Sequence, residues 1–219
     1  MKRMREDIPE LAGLHFIKRS EYRKVRKCAE RAFARYPSFA YICGEGKGGR
    51  FAGTEFAIDV KHQRKDWIFI SPDEEMICVG MFYPPESKKK GAAWHMLNYI
   101  TTALFHSKRG FFARSKKLFG PLRESDEKWN GDDAWYLFGL MVDPDMQGKG
   151  ISKKVTIPMF KYLDRIDAKC YLETLDPDTV PFYEKYGFVL MGKYDIPDAG
   201  IALYPMVRPR LSERNKLTL

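Results

Sequence analysis

The segment Ala134-Trp-Tyr-Leu-Phe-Gly-Leu-Met-Val142 does most to limit what this chain folds into. It carries no charge and is rich in aromatic and branched side chains, which suits a strand covered on both faces. Asp143-Pro144 ends it. Directly behind, Gln147-Gly-Lys-Gly-Ile-Ser152 places two glycines before the helical pattern of 152–166, in which Val155, Pro158, Met159 and Leu163 fall on or near one face. A second buried strand, Cys170–Thr174, follows at the distance of a crossover connection. This order calls for a sheet with helices packed on it.

The glycine turn is also the strongest site signal. Gly148 and Gly150 permit backbone conformations closed to residues with a Cβ. Successive N–H groups there can converge on an anion, helped by the positive end of the helix that follows. A pyrophosphate suits such a cradle. An ordinary strand-to-helix turn uses the same glycines, and their number alone does not separate the two readings.

The remaining pattern fills in both sides. Leu14–Lys18 alternates as a first strand, and Ser20 reads as the N-cap of a helix carrying Val25, Cys28, Ala29, Ala32 and Phe33 inward, closed by Pro37. An apolar piece, Phe39–Cys43, leads into Gly44-Glu-Gly-Lys-Gly-Gly49, which satisfies G-x-G-x-x-G literally. A dinucleotide fold needs that string between a strand and a helix, and the residues after Arg50 do not read as a helix, so a mobile loop is expected. Trp67–Ile70 and Met76–Tyr83 read as a hairpin. Residues 92–119 are helix-compatible, with Gly120-Pro121 as a break. Val180–Tyr186 reads as a short helix, with Phe188–Tyr194 and Ile201–Val207 as the last strands.

Composition narrows the function classes. With 219 residues, 44% hydrophobic and 31% charged, a disordered, collagen-like or coiled-coil chain is excluded. The absence of a long apolar stretch and of a signal-like start predicts no membrane partner and a cytoplasmic protein. Cys28, Cys43, Cys78 and Cys170 are scattered without metal spacing, so buried thiols are expected and no metal. The net charge of +9 is compatible with an anionic partner, but no nucleic-acid motif accompanies it, so no nucleic acid is expected. A homodimer is admitted, not required.

Val142-Asp-Pro144 followed by Gln147-Gly-Lys-Gly150-Ile-Ser152 resembles the strand end and the Q/R-x-x-G-x-G/A signature of the GNAT superfamily of N-acetyltransferases. Tyr171-Leu-Glu-Thr-Leu-Asp-Pro-Asp-Thr-Val-Pro-Phe-Tyr-Glu-Lys-Tyr-Gly-Phe188 is similar to that family's second block, most of all in the branch containing puromycin N-acetyltransferase. The likeness is specific over 135–209 and rests on element order before that. Ser152 stands where Gly or Ala is usual, and Thr179 where Asn is common.

The resemblance implies an α+β fold: a mixed, mostly antiparallel central sheet flanked by helices, with splayed parallel strands at 135–142 and 170–174. One domain would span 1–219, with an acyl-CoA-binding core at about 134–207 and acceptor-side helices and hairpin at about 14–130. Acetyl-CoA would be the co-substrate and a small-molecule primary amine the acceptor. Leu140, Met141, Val142, Gln147, Gly148, Lys149, Gly150, Ile151, Ser152, Asp178 and Phe182 would contact the acyl-CoA. Tyr183 is read either as a packed core aromatic or as the acid that protonates the departing thiolate. Glu173, a carboxylate in a buried strand, is read either as an ion-pair partner of Lys or Arg or as the base for the attacking amine. A non-catalytic acyl-CoA sensor and a basic nucleic-acid module are the competing classes. His15, His62, His95 and His106 show no catalytic spacing, and His95 alone lies where it would reach a substrate cleft.

Overall fold

A computed structural model describes residues 8–44, 46–85, 99–100, 102–103 and 109–216. The uncharged run forms strand β4 (Trp135–Val142) at the centre of an eight-stranded sheet. Its neighbours on one side are β3 (Cys78–Tyr83), β2 (Ile68–Ser71) and β1 (His15–Phe16), all antiparallel, with β2 and β3 forming the expected hairpin. On the other side lie β5 (Cys170–Thr174), β8 (Ile201–Arg208) and β6 (Val189–Leu190), while β7 (Tyr194–Ile196) pairs with another part of β8. The run 188–194 therefore divides into two short strands. Among the described strands only β4 and β5 are parallel, and they pair at Trp135↔Cys170 and Tyr136↔Tyr171 before separating.

Alternation sends the two sides of each strand into different cores. Cys78 and Phe82 of β3 pack with Val155, Met159 and Leu163 of helix α5 (Lys153–Arg165). Val79, Met81 and Tyr83 pack instead with Val25 and Ala29 of α1 (Tyr22–Ala32) and Ala52, Phe56 and Val60 of α3 (Gly48–His62). In β4 the phase slips by one residue. Met81 pairs with Gly139 and Phe82 with Leu137, so Phe138 is an extra residue and both Phe138 and Gly139 face the α3 side. Such a bulge bends its strand and increases local twist. It lies two residues past the last β4–β5 pair, where the strands part.

Four local expectations are corrected. Ser20 caps nothing; it sits in a 3-10 turn, Arg19–Glu21, closed by the Glu21 carboxylate accepting the Lys18 N–H at 2.7 Å. Pro37 opens a helix, α2 (Pro37–Cys43), at the position where its missing N–H costs nothing. The glycine string is no loop beyond Lys47, because Gly48 and Gly49 begin α3, a helix of 15 residues. Gly120-Pro121 lies inside helix α4 (Phe111–Ser125) and does not end it. Most of 92–108, His95 and His106 included, lies outside the described residues.

The helices α1 and α3 approach closely. A Cβ on Gly49 would stand 2.3 Å from the Glu30 carbonyl oxygen, and one on Gly53 2.9 Å from that of Arg26. Those glycines serve contact between helices, a use that a local reading of the sequence does not distinguish from turn formation. All four cysteines are free and buried. Among the described residues no helix is long and apolar enough to cross a membrane.

Candidate active site

Where β4 and β5 part, a cleft of about 220 Å³ opens, bounded by Leu137, Leu140, Leu172 and Tyr183 on the α5 side. On the other side it meets Phe33, Tyr36, Phe39, Phe56, Tyr136 and Phe138. Helix α6 (Val180–Glu184) brings in Tyr183, and the end of α1 with the start of α2 brings in Phe33, Tyr36 and Phe39.

The backbone of β4 supplies polar groups to this opening. The Asp143 N–H donates to the Ile77 carbonyl at 2.8 Å, which makes Ile77–Asp143 a hydrogen-bonded pair of the antiparallel ladder. Alternation then makes Cys78–Val142 and Gly80–Leu140 non-bonded pairs, so Leu140 and Val142 turn their N–H and C=O groups away from β3 and toward the splay. Met141 does not fit its predicted role as an acyl-CoA contact: its side chain points into the α1–α3 core, and as the hydrogen-bonded partner of Val79 it turns its N–H and C=O toward β3. The Gln147 side chain donates to the Val142 carbonyl at 3.2 Å, tying the following turn to the strand.

In that turn Gly148 and Gly150 have φ of 73° and 72°, the left-handed region that favours glycine. Among the described residues, no N–H from Gly148 to Ser152 donates to a backbone carbonyl. Lys149 is exposed, while Ile151 and Ser152 are half-buried. These donors stand at the N-terminus of α5, and the chemistry of the set is that of an anion cradle. The turn is held from behind by Arg31, at the end of α1. Its guanidinium grips Asp143 at 2.8 and 2.9 Å and Asp145 at 2.6 Å, and those carboxylates raise its proton affinity further. Asp143 Oδ1 also accepts the Asp145 N–H.

Glu173 is half-buried on β5 and accepts the Tyr136 hydroxyl at 2.5 Å. Burial first, and then the Glu173 carboxylate, push the Tyr136 phenol well above its usual range, so it remains a donor. Tyr171, bonded to Ser125 at 2.7 Å, is raised by the same two causes. The carboxylate is therefore kept among phenols, a setting that neither reading of the sequence contained.

Tyr183 packs its ring edgewise on Phe182 and Phe188, at 5.1 and 5.7 Å. Burial raises its phenol above the ordinary value, as does the proximity of Tyr36. Among the described residues its hydroxyl makes no hydrogen bond, in contrast to that of Tyr36. The Tyr36 oxygen accepts the Leu175 N–H at 2.9 Å and lies 3.2 Å from Thr174 Oγ1. Thr174 Oγ1 in turn lies 2.8 Å from the Thr179 hydroxyl, which donates to the Asp176 carbonyl. The Thr179 hydroxyl is thereby engaged within the protein.

Of the predicted residues, Leu140, Glu173 and Tyr183 line the cleft, while Val142 stands at the end of β4 and Gln147 to Ser152 lead into the start of α5, outside that lining. Asp178, exposed in the 3-10 turn Pro177–Thr179, and Phe182 lie outside the cleft lining. Sequence reading missed Arg31, Tyr36, Tyr136 and the aromatic wall. None of them sits in a motif, and only the fold brings residues 31–56 to strands more than 80 positions away. Among the described residues no cluster of His, Cys, Asp or Glu is arranged to hold a metal.

Residues 106–209 match the family described as acetyltransferase (GNAT) domain. An uncharacterised N-acetyltransferase of Schizosaccharomyces pombe is 30% identical over 82 residues, 37% of this chain and 33% of that protein. One from Gracilaria tenuistipitata var. liui is 29% identical over 120 residues, 53% of this chain and 60% of the other. The matches thus span between a third and three fifths of these relatives' lengths. Among solved structures, one from Corynebacterium glutamicum, described as histone acetyltransferase HPA2 and related acetyltransferase, superposes with a TM-score of 0.58. It is 17% identical, over 90% of this chain and 95% of that one, a likeness of fold.

Proposed function

We propose that this chain, whose residues 106–209 match the acetyltransferase (GNAT) domain family, transfers an acetyl group from acetyl-CoA to a primary amine of a small molecule by direct attack. The observation that carries this reading is the alignment of three features: the unpaired N–H groups of Gly148 to Ser152, the splay of β4 from β5, and the Glu173–Tyr183 pair inside it. Residues 1–219 act as one domain, with the acyl-CoA side in about 134–207 and the acceptor side in about 14–130. The L-E-T strand and P-F-Y-E helix favour the branch containing puromycin N-acetyltransferase.

Acetyl-CoA supplies an activated acyl group, and every other demand falls on the chain. The N–H groups from Gly148 to Ser152 hold the pyrophosphate, while the Gln147 N–H is engaged by the Pro144 carbonyl at 3.3 Å. The N–H and C=O groups of Leu140 and Val142 pair with the amides of the pantetheine arm, and an N–H near Val142 polarises the thioester carbonyl. Glu173 takes the proton of the attacking ammonium, and Tyr183 gives its proton to the sulfur as the C–S bond breaks and the N–C bond forms. A phenol whose proton affinity is raised by burial arrives protonated, as a general acid must. Holding both substrates in one cleft makes a bimolecular reaction effectively unimolecular.

Calorimetry with acetyl-CoA, followed by thiol release over an amine panel, tests the reading. Absence of acetyl-CoA binding overturns it. Binding without thiol release from any amine is the behaviour of a sensor and overturns the catalytic part.

A further inference from the structure

The acceptor side of the cleft has a chemistry that selects among amines. Its wall is a continuous patch of rings: Phe33 stacks on Phe56 at 5.1 Å, Phe56 meets Phe138 at 5.5 Å, and Phe33 meets Phe39 at 5.5 Å. Among the described residues that line the cleft there is no Lys, Arg or His, although the chain carries 38 Lys and Arg and a net charge of +9. Glu173 is the one carboxylate in that lining.

We infer that the acceptor is a primary amine on an aryl or bulky alkyl body that carries no carboxylate or phosphate, its ammonium at Glu173 and its apolar body against Phe33, Phe39, Phe56 and Phe138. This rests on the acetyl-transfer reading and deepens it. An alkyl ammonium is drawn to the carboxylate and to the negative faces of the rings. Its proton passes to Glu173, and the neutral amine left behind forms the N–C bond while the sulfur leaves with the Tyr183 proton. The ring patch removes the body of the molecule from water, and this burial favours apolar acceptors. An anionic group on the acceptor loses its hydration in the same space and meets no cation, which opposes its binding.

The test compares 2-phenylethylamine, phenylalanine and an N-terminally blocked lysine amide with the full chain, by thiol release and by calorimetric binding to the CoA-loaded protein. The expected result is a kcat/KM for 2-phenylethylamine at least about 100-fold above that for phenylalanine, with affinities in the same order. The lysine amide should fall between them or below both. Equal or better use of phenylalanine or of the lysine amide overturns the inference while leaving acetyl transfer standing. If no amine releases thiol, acetyl transfer itself fails, and binding still decides the preference: equal affinity for 2-phenylethylamine and phenylalanine overturns it. Phe39→Arg, which places a cation on the wall, should narrow the preference at least about tenfold. If that variant does not fold, the three amines compared on the unmodified chain decide the matter.

Discussion

Tyr136 donates its phenolic hydrogen to Glu173 across the point where β4 and β5 stop pairing, at 2.5 Å. A donor at that distance favours the charged carboxylate. In Tyr136→Phe that donor is gone, and with the carboxylate held less firmly kcat should fall. Glu173→Gln should also depress kcat. An unchanged kcat in Tyr136→Phe would mean that this contact does not hold the carboxylate for the reaction.

Tyr183→Phe removes one oxygen whose hydrogen has no other acceptor among the described residues. The expected loss in kcat is roughly 10²- to 10⁴-fold, the span of general acid catalysis, with acetyl-CoA affinity nearly unchanged. Tyr36→Phe serves as the comparison, since its hydroxyl is engaged with Thr174 and Leu175. It should lower stability more than it lowers the chemical rate. Near-normal kcat in Tyr183→Phe, with chemistry rate-limiting, would make Tyr183 a packing residue.

Gly150 separates charge from backbone strain. At φ of 72° both Ala and Asp are disfavoured, but only Asp adds a negative group beside the unpaired N–H donors. A Cβ there would have Lys153 Cδ as its nearest neighbour, at 3.8 Å, so space is not the obstacle. Gly150→Asp should therefore weaken acetyl-CoA binding at least about tenfold more than Gly150→Ala, as measured by calorimetry. Equal effects would remove the pyrophosphate from this turn.

Arg31→Ala tests whether the turn needs its brace. Exposed ion pairs contribute little to stability, so Tm should hardly change. The KM for acetyl-CoA should nonetheless rise several-fold, because Asp143 and Asp145 set the geometry of the residues just before the cradle, and kcat at saturation should be spared. A fall in Tm with no change in KM would make the contact purely structural.

The buried thiols predict an alkaline limit. Burial pushes Cys28, Cys43 and Cys78 from the usual 9.0 up to about 12. Between those values the unfolded chain has lost thiol protons that the folded chain keeps, so the folded state loses its advantage as pH rises. Stability should be unaffected by these groups below about pH 9 and decline above it. Thermal melts from pH 8 to 11 check this, and thiol alkylation should be slow at pH 8 until denaturant is added.

The sequence carried the C-terminal half of this architecture in nearly local form. The Ala134–Ser152 string encodes strand, turn and helix through burial and glycine alone, and each element depends little on distant contacts. The N-terminal half was read less well for an identifiable reason. Gly48 and Gly49 look like loop residues, yet they begin α3, where Gly48 lies against Phe39 of α2 and Gly49 against the Glu30 carbonyl of α1; the information resides in the contact between helices, not in any one of them. Tyr36 and Tyr136 were illegible for the same cause, since each acquires meaning only from a partner far along the chain. Glu173 stands out in the sequence as an odd carboxylate in an apolar strand, but the phenols beside it in the structure have no sequence signature.

The extra residue at Phe138 has a consequence for how such a protein changes over time. A fully paired sheet is a partition that keeps its two sides strangers. One inserted position, beside the point where two strands part, leaves a cleft whose two walls belong to separate sets of side chains. On the proposed reading, exchange of Phe33 or Phe39 would retune acceptor choice without disturbing the Gly148–Ser152 turn.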